Sequence, residues 1–197
     1  MRHPRAALLA LLAAGACLFE PRPDNTRYYT LEPVAAEAGS APGTPLSIGL
    51  GPVVLPPYLD RPEFASRLGP EQIGYSAVDR WAAPLGEVFR RALAEDLRSR
   101  VPAREVVPWP WSRSGAPDLA VSVDVLRFEA EAGGAAVLDA RFTLRAGAGG
   151  ATLGSGQTRF REEVQPGSTA AAVAALGRGV GALARDVAAV VRALPPR

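Results

Sequence analysis

Leu138 to Arg145 reads LDARFTLR, and its strict alternation decides the fold. Leu138, Ala140, Phe142 and Leu144 fall on one side of an extended chain, with Asp139, Arg141, Thr143 and Arg145 on the other, so the segment reads as a half-buried β-strand. Upstream, Leu119, Val121, Val123 and Val125 alternate with Ala120, Ser122 and Asp124. Gly133-Gly134 then supplies a turn that needs positive φ. Downstream, Gly147 to Gly150 turn the chain into a third run, Thr152 to Val164. Together they form a three-stranded meander, and Asp139, Arg141, Arg145, Arg159 and Arg161 read as its solvated face.

Two helices flank this meander. In the first, Trp81, Leu85, Val88, Phe89, Ala92, Leu93 and Leu97 recur at helical spacing, with Arg90, Arg91, Glu95 and Arg98 mostly opposite. Pro84 fits only a first turn, so the spacing predicts a helix starting close to Trp81. In the second, Val173, Leu176, Val180, Leu183, Val187, Val190 and Leu194 follow an unbroken three-four spacing, with Arg178, Arg185 and Arg192 on the far side. Ser168 or Thr169 can cap its start, and Pro195-Pro196 ends it. Gly177, Gly179 and Gly181 each weaken this helix by roughly 1 kcal/mol relative to Ala, unless they admit another backbone closely. The heptad spacing of this stripe leaves self-association open, so a homo-oligomer is one possible state.

The first third of the chain is less regular. Arg27 to Glu32 (RYYTLE) reads as a strand, Pro33 to Pro45 as a loop, and Leu46 to Leu55 (LSIGLGPVVL) as a second strand. Pro52 places that strand at an edge or at a bulge. Pro56 to Arg80 holds a small hairpin, FASRL and QIGYS about Gly69-Pro70. The order of elements predicts a single α/β (α+β) two-layer sandwich over residues 27–197, with a mainly antiparallel sheet and two long helices packed on one face.

The N-terminus carries a different signal. Arg2 and Arg5 form a positive region, Ala6 to Ala13 an apolar one, and Ala14-Gly15-Ala16 a small-residue run ending before Cys17, the only Cys. Residues 1–16 therefore read as a secretory signal. The small residues before Cys17 match a lipobox, with Ala14 in place of the usual Leu, and equally match an ordinary A-x-A cleavage site. In the lipobox reading Cys17 is lipidated and residues 17–26 (CLFEPRPDNT) form a tether. Two or three acyl chains would hold the protein to its membrane, at about 0.8 kcal/mol per buried CH₂. Leu18, rather than Asp, after the Cys favours the outer membrane by the sorting convention of Gram-negative lipoproteins.

Composition excludes several chemistries. All 22 basic residues are Arg against 20 acidic ones, and removing residues 1–16 takes Arg2 and Arg5, leaving 20 of each sign. A balanced chain of this kind lacks the basic footprint of a nucleic-acid partner. His3, the only His, leaves with the signal, so no Ser-His-Asp or Cys-His arrangement can form. There is no His/Cys set for zinc and no Lys for a P-loop or Schiff base. Gly49-Leu50-Gly51 and Gly154-Ser155-Gly156 lack the third Gly of a dinucleotide fingerprint. No catalytic residue and no cofactor is expected.

The run Gly51 to Arg61 (GPVVLPPYLDR), followed by Pro62, Arg67, Ile73, Arg80-Trp81-Ala82, Pro84-Leu85 and Leu93-Ala94-Glu95-Asp96-Leu97, resembles the ABC-type transport auxiliary lipoprotein family, the PqiC/YmbA-like proteins. Tyr28-Tyr29-Thr30-Leu31, Asp118 to Phe128 and Leu138 to Phe142 extend the resemblance over nearly the whole mature chain. Phe142 departs from it, standing where the family's L-x-A-x-W pattern has Trp. The resemblance implies a non-enzymatic, lipid-anchored subunit on the periplasmic face of the outer membrane. Its implied partner is a periplasmic MCE-domain protein of an ABC-linked lipid-transport system, with inner-membrane components beyond it.

Candidate docking residues follow from composition. Pro56 to Arg61 (PPYLDR) presents Tyr58 and Leu59 beside Asp60 and Arg61 in a Pro-stiffened loop, and rigid aromatics with Arg are typical of interface hot spots. The alternative is that Tyr58 packs under the domain while Asp60 pairs with Arg61 or Arg80. Trp81 reads as a core anchor of the first helix or as a contact. Trp109 and Trp111 (PWPW) could touch a partner or a headgroup layer, or could cover a sheet edge. On this reading, replacing Tyr58 and Arg61 by Ala weakens partner capture without unfolding the domain. Two other functions stay open: a lipid carrier, which needs an apolar pocket of several hundred Å³, and a regulator of a cell-wall or envelope-assembly enzyme.

Overall fold

The computed structural model describes residues 23–34, 46–101, 103–111 and 115–195. The signal region and Cys17 lie outside these residues. The strands are β1 (Arg27–Tyr29), β2 (Ser47–Val54), β3 (Glu63–Gly69), β4 (Gln72–Trp81), β5 (Glu105–Pro108), β6 (Leu119–Glu131), β7 (Ala135–Ala146) and β8 (Thr152–Glu163). Two helices, α1 (Leu85–Arg100) and α2 (Thr169–Arg192), complete the two-layer α/β sandwich.

All eight strands belong to one sheet built around β6. One edge of β6 pairs antiparallel with β7, which pairs antiparallel with β8, as the alternating runs predicted. Its other edge is shared. Leu119 to Asp124 pair parallel with β2, while Ala130 and Glu131 pair parallel with β3. The sheet thus divides into two wings, β2–β5 and β3–β4–β1. Antiparallel ladders carry most of the paired length, and the joins β1–β4, β2–β5, β2–β6 and β3–β6 are parallel.

Several local readings need correction. Of the two places open to Pro52 the bulge is the one found: β2 lies between β5 and β6, not at an edge, and the exposed Pro52 sits at a register shift between Leu50 and Val53. The bulge spares the ladder a missing donor. Trp81 ends β4 instead of opening α1. A proline disfavours helical backbone at the residue before it, here Ala83, and Pro84 itself is extended (ψ 128°), so α1 begins at Leu85. Glu105 to Pro108, to which the sequence assigned no element, forms β5 because β2 offers it a parallel edge.

The helices cover one face. Leu85, Val88, Phe89, Leu93 and Leu97 of α1 are buried, and Phe89 meets Phe128 edge-on at 5.3 Å. Trp81 completes the cluster, 5.5 Å from Phe64 and 6.1 Å from Phe128. In α2 the Ser168 hydroxyl accepts from the Ala171 amide at 3.2 Å, the predicted cap. Burial on α2 extends beyond the predicted stripe to Ala172, Ala175, Ala184, Ala188 and the three glycines. Those glycines permit close approach: a Cβ at Gly179 would stand 2.9 Å from Phe160 and 3.2 Å from Leu138, and one at Gly181 would stand 3.0 Å from Val34. Gly134 takes the expected positive φ, 87°, at the β6–β7 turn.

Candidate functional site

The polar face of the sheet carries a built constellation. Pro56 and Pro57 set up a single 3-10 turn, Pro57–Leu59, closed by the Leu59 amide on the Pro56 carbonyl at 2.9 Å. Leu59 is buried beneath it. The Tyr58 hydroxyl donates to Glu129 Oε2 at 2.8 Å. Glu129 on β6 is fully buried, and its other oxygen accepts from Arg67 Nε and, at 3.0 Å, from Arg127 Nε. Arg127 also holds Glu131 at 2.8 Å, and Glu131 receives Arg161, which reaches Glu163 at 3.2 Å. A ladder of alternating charge therefore runs from β3 over β6 to β8. Desolvating one carboxylate this completely is tolerable only when its partners are in place.

Electrostatics follow the same contacts. Burial, reinforced by Glu129, raises the Tyr58 hydroxyl above its ordinary value, so it stays a donor. Arg161 and Arg127 hold Glu131 below the usual carboxylate range. Tyr58 thus fastens the loop to the sheet, and Asp60 and Arg61 are the charged loop side chains, both left exposed along with Pro57. Arg61 bonds Glu63 at 3.3 Å and lies 4.4 Å from the centre of the Tyr75 ring, so it is engaged there and not by Asp60. The Tyr75 hydroxyl donates to the Tyr58 carbonyl at 3.1 Å.

The other predicted residues lie elsewhere. Leu59 and Trp81 are core side chains, which removes them as surface contacts: each faces an apolar cluster that needs their volume. Trp109 and Trp111 stack edge-on at 5.1 Å. Trp111 donates to the Val107 carbonyl at 3.1 Å and lies over Gly49 and Gly51, covering β2, whereas Trp109 stays exposed. The loop and the Trp pair are separate features.

Two further features escaped sequence reading. Between the pairs Glu63–Arg80 and Ala65–Tyr75, β4 carries extra residues that bulge outward and bring Asp79 inward. Asp79 accepts from Arg27 at 2.7 Å, Thr169 at 2.8 Å and Ser76 at 3.0 Å. Burial would raise its carboxyl, and these donors, led by Thr169, outweigh that and hold it below its ordinary value. Beside it, an open groove of about 460 Å³ runs between the β3–β4 hairpin and the start of α2, walled by Phe64, Leu68, Tyr75, Asp79, Pro166 and Thr169. The signal for Glu129 was legible: Arg127, Glu129 and Glu131 alternate within RFEAE and so share a face. Among the described residues no group of three or more His, Cys, Asp or Glu could hold a metal ion, and no helix is long and apolar enough to cross a membrane.

The fold and its site define a two-layer α/β domain whose polar face is locked by ion pairs, with a Pro-stiffened loop fastened to it. Its sequence places it more narrowly. The chain belongs to the family of ABC-type transport auxiliary lipoprotein components, whose model matches residues 29–188. It is therefore an auxiliary lipoprotein of an ABC-type transport system, with an envelope location. No curated protein matches the chain. Among solved structures it is similar to protein XCC0632 from Xanthomonas campestris (15% identity, TM-score 0.72, covering 85% of this chain and 97% of that one). It is also similar to a crystal structure titled only as an uncharacterized protein (20% identity, TM-score 0.67, 84% and 98% covered). Both share the fold.

Proposed function

We propose that this protein is a non-enzymatic docking subunit, anchored to the periplasmic face of the outer membrane through Cys17, of an MCE-type, ABC-linked lipid-transport system. Family membership over residues 29–188 is the observation that carries the reading. The lone Cys after a small-residue run supports the anchor, and Leu18 supports the outer membrane. The preformed PPYLDR loop supports a docking role, because a loop already fastened by Tyr58 and Leu59 loses little freedom on binding. Cross-linking in intact cells, followed by purification of the anchored protein, tests it. Recovery of an MCE-domain protein is the expected result; recovery of a peptidoglycan synthase instead overturns it.

The groove beside Asp79 favours a second reading, a lipid carrier, since its volume is in the range that takes part of a lipid. Native mass spectrometry of the Cys17→Ser protein separates the two. Co-purifying phospholipid supports the carrier, and its absence counts against it.

A further inference from the structure

Among the described residues, six large hydrophobic side chains are exposed, and four of them belong to one wing: Tyr28 on β1, Leu68 on β3, Tyr75 and Val78 on β4. The other two, Val54 and Trp109, lie on β2 and just beyond β5. The crowded wing is also where the tether arrives. Cys17 stands six residues before Pro23, a reach of at most about 20 Å even when fully extended. From Pro23 the chain runs directly into the edge strand β1, with Asp24 bonded to the Thr26 amide at 2.9 Å and within electrostatic reach of Arg80. A domain of this length is about 40 Å across, so the tether is shorter than the body it holds.

We infer that the β1–β4–β3 wing is the face that rests on the lipid bilayer, with Tyr28 and Val78 at the headgroup level. The inference rests on lipidation of Cys17. Chemistry fits a lipid interface better than an electrostatic patch. Tyr is the side chain that seats an apolar ring with its hydroxyl in the wet headgroup layer. Three of the wing's cations are matched, Arg27 by Asp79, Arg61 by Glu63 and Arg67 by Glu129, and the half-buried Arg80 lies within electrostatic reach of Asp24 and Glu63, so the wing carries no concentrated charge toward anionic lipid. Apolar contact made beside a covalent anchor gains from high local concentration, so few side chains suffice.

The chain's single Cys makes the test clean, because lipidation consumes it. The full-length lipidated protein, carrying Tyr28→Cys, Val78→Cys, Val54→Cys or Arg185→Cys, is nitroxide-labelled and reconstituted into phosphatidylethanolamine–phosphatidylglycerol vesicles. Flotation reports anchoring, and relaxation by oxygen against a water-soluble nickel chelate reports immersion. The expected result is a several-fold higher oxygen-to-nickel ratio at positions 28 and 78 than at 54 and 185. Floating protein whose positions 28 and 78 are as water-accessible as 54 overturns the orientation alone. Protein that fails to float, while still folded, overturns the anchor and the orientation with it. Shielding of 28 and 78 only after a protein partner is added overturns the lipid assignment in favour of a protein interface.

Discussion

The Tyr58 hydroxyl donates to Glu129 at 2.8 Å, from a loop on one side of the sheet's polar face to a carboxylate with no solvent contact. Sequence separation makes this bond informative: 71 residues apart, the two hold the PPYLDR loop in one place. Tyr58→Phe keeps the ring and removes only the donor. A hydrogen bond to a charged buried group is worth about 1.5–3 kcal/mol. Thermal unfolding should shift down by roughly 3–12 °C for a domain of this size, and an unchanged midpoint would show that water replaces the donor.

Asp60 and Arg61 are the exposed charged members of the same loop. Replacing both Tyr58 and Arg61 by Ala would remove a donor to a buried carboxylate and so disturb the fold, contrary to the expectation from sequence, and Asp60→Ala with Arg61→Ala is the cleaner test of docking. The pair should reduce cross-linked recovery of the partner while the unfolding midpoint stays at the wild-type value. Full recovery would move the docking surface elsewhere.

Two glycines should respond in opposite directions to the same change. Gly86, in the first turn of α1, has open contact room, with Leu55 3.7 Å from an added Cβ. Gly86→Ala should therefore stabilise by up to about 1 kcal/mol through helix propensity. Gly179→Ala drives the Cβ against Leu138 and Phe160, and crowding of that kind costs about 1–3 kcal/mol, enough to reverse the propensity gain. Urea unfolding of the two variants measures both signs.

Asp96 and Asp79 should give opposite pH dependence. Burial raises Asp96 above its ordinary value despite Arg100 and the Val34 amide, so the folded state binds its proton more tightly than the unfolded chain. Its contribution is full below the ordinary carboxylate value and is lost as pH rises through the raised one. Asp79 is held low, so its contribution is present above the ordinary value and is lost as pH falls through the lowered one. On acidification from neutral pH, wild type should gain stability relative to Asp96→Asn, and in stronger acid it should lose its advantage over Asp79→Asn. Denaturant unfolding across this range, with the two difference curves sloping the same way, would refute the assignment.

Cys17→Ser should abolish palmitate incorporation and release the protein from the membrane fraction. Incorporation that persists would place the modification elsewhere.

The meander, both helices and the α2 cap were legible because each rests on local periodicity or on a capping side chain. Leu138 to Arg145 alternates, and Ser168 sits where a helix needs an acceptor. The parallel joins were not legible, since β2, β3 and β6 meet through contacts far apart in sequence and no turn residue announces them. Trp81 was misplaced because its spacing suits a helix, while the decisive information lay in Pro84 acting backward on Ala83. In the candidate site, the loop was visible from its prolines and aromatic. The face that its anchor, Glu129, shares with Arg127 and Glu131 was legible too, but only the tertiary fold says that this charge is covered.

Leu126 is unmatched in the β6–β7 ladder: Val125 pairs with Ala140 and Arg127 with Asp139. This one supernumerary residue inverts the phase of the strand. Before it, odd-numbered residues Val121, Val123 and Val125 enter the core; after it, even-numbered Phe128 is in the core and odd-numbered Arg127, Glu129 and Glu131 form the ladder. Excising Leu126 would leave the composition almost untouched, yet would turn three charges toward the helices and Phe128 toward Tyr58. The position of the PPYLDR loop is therefore encoded, in part, by a residue with no partner in the β6–β7 ladder, defined by parity.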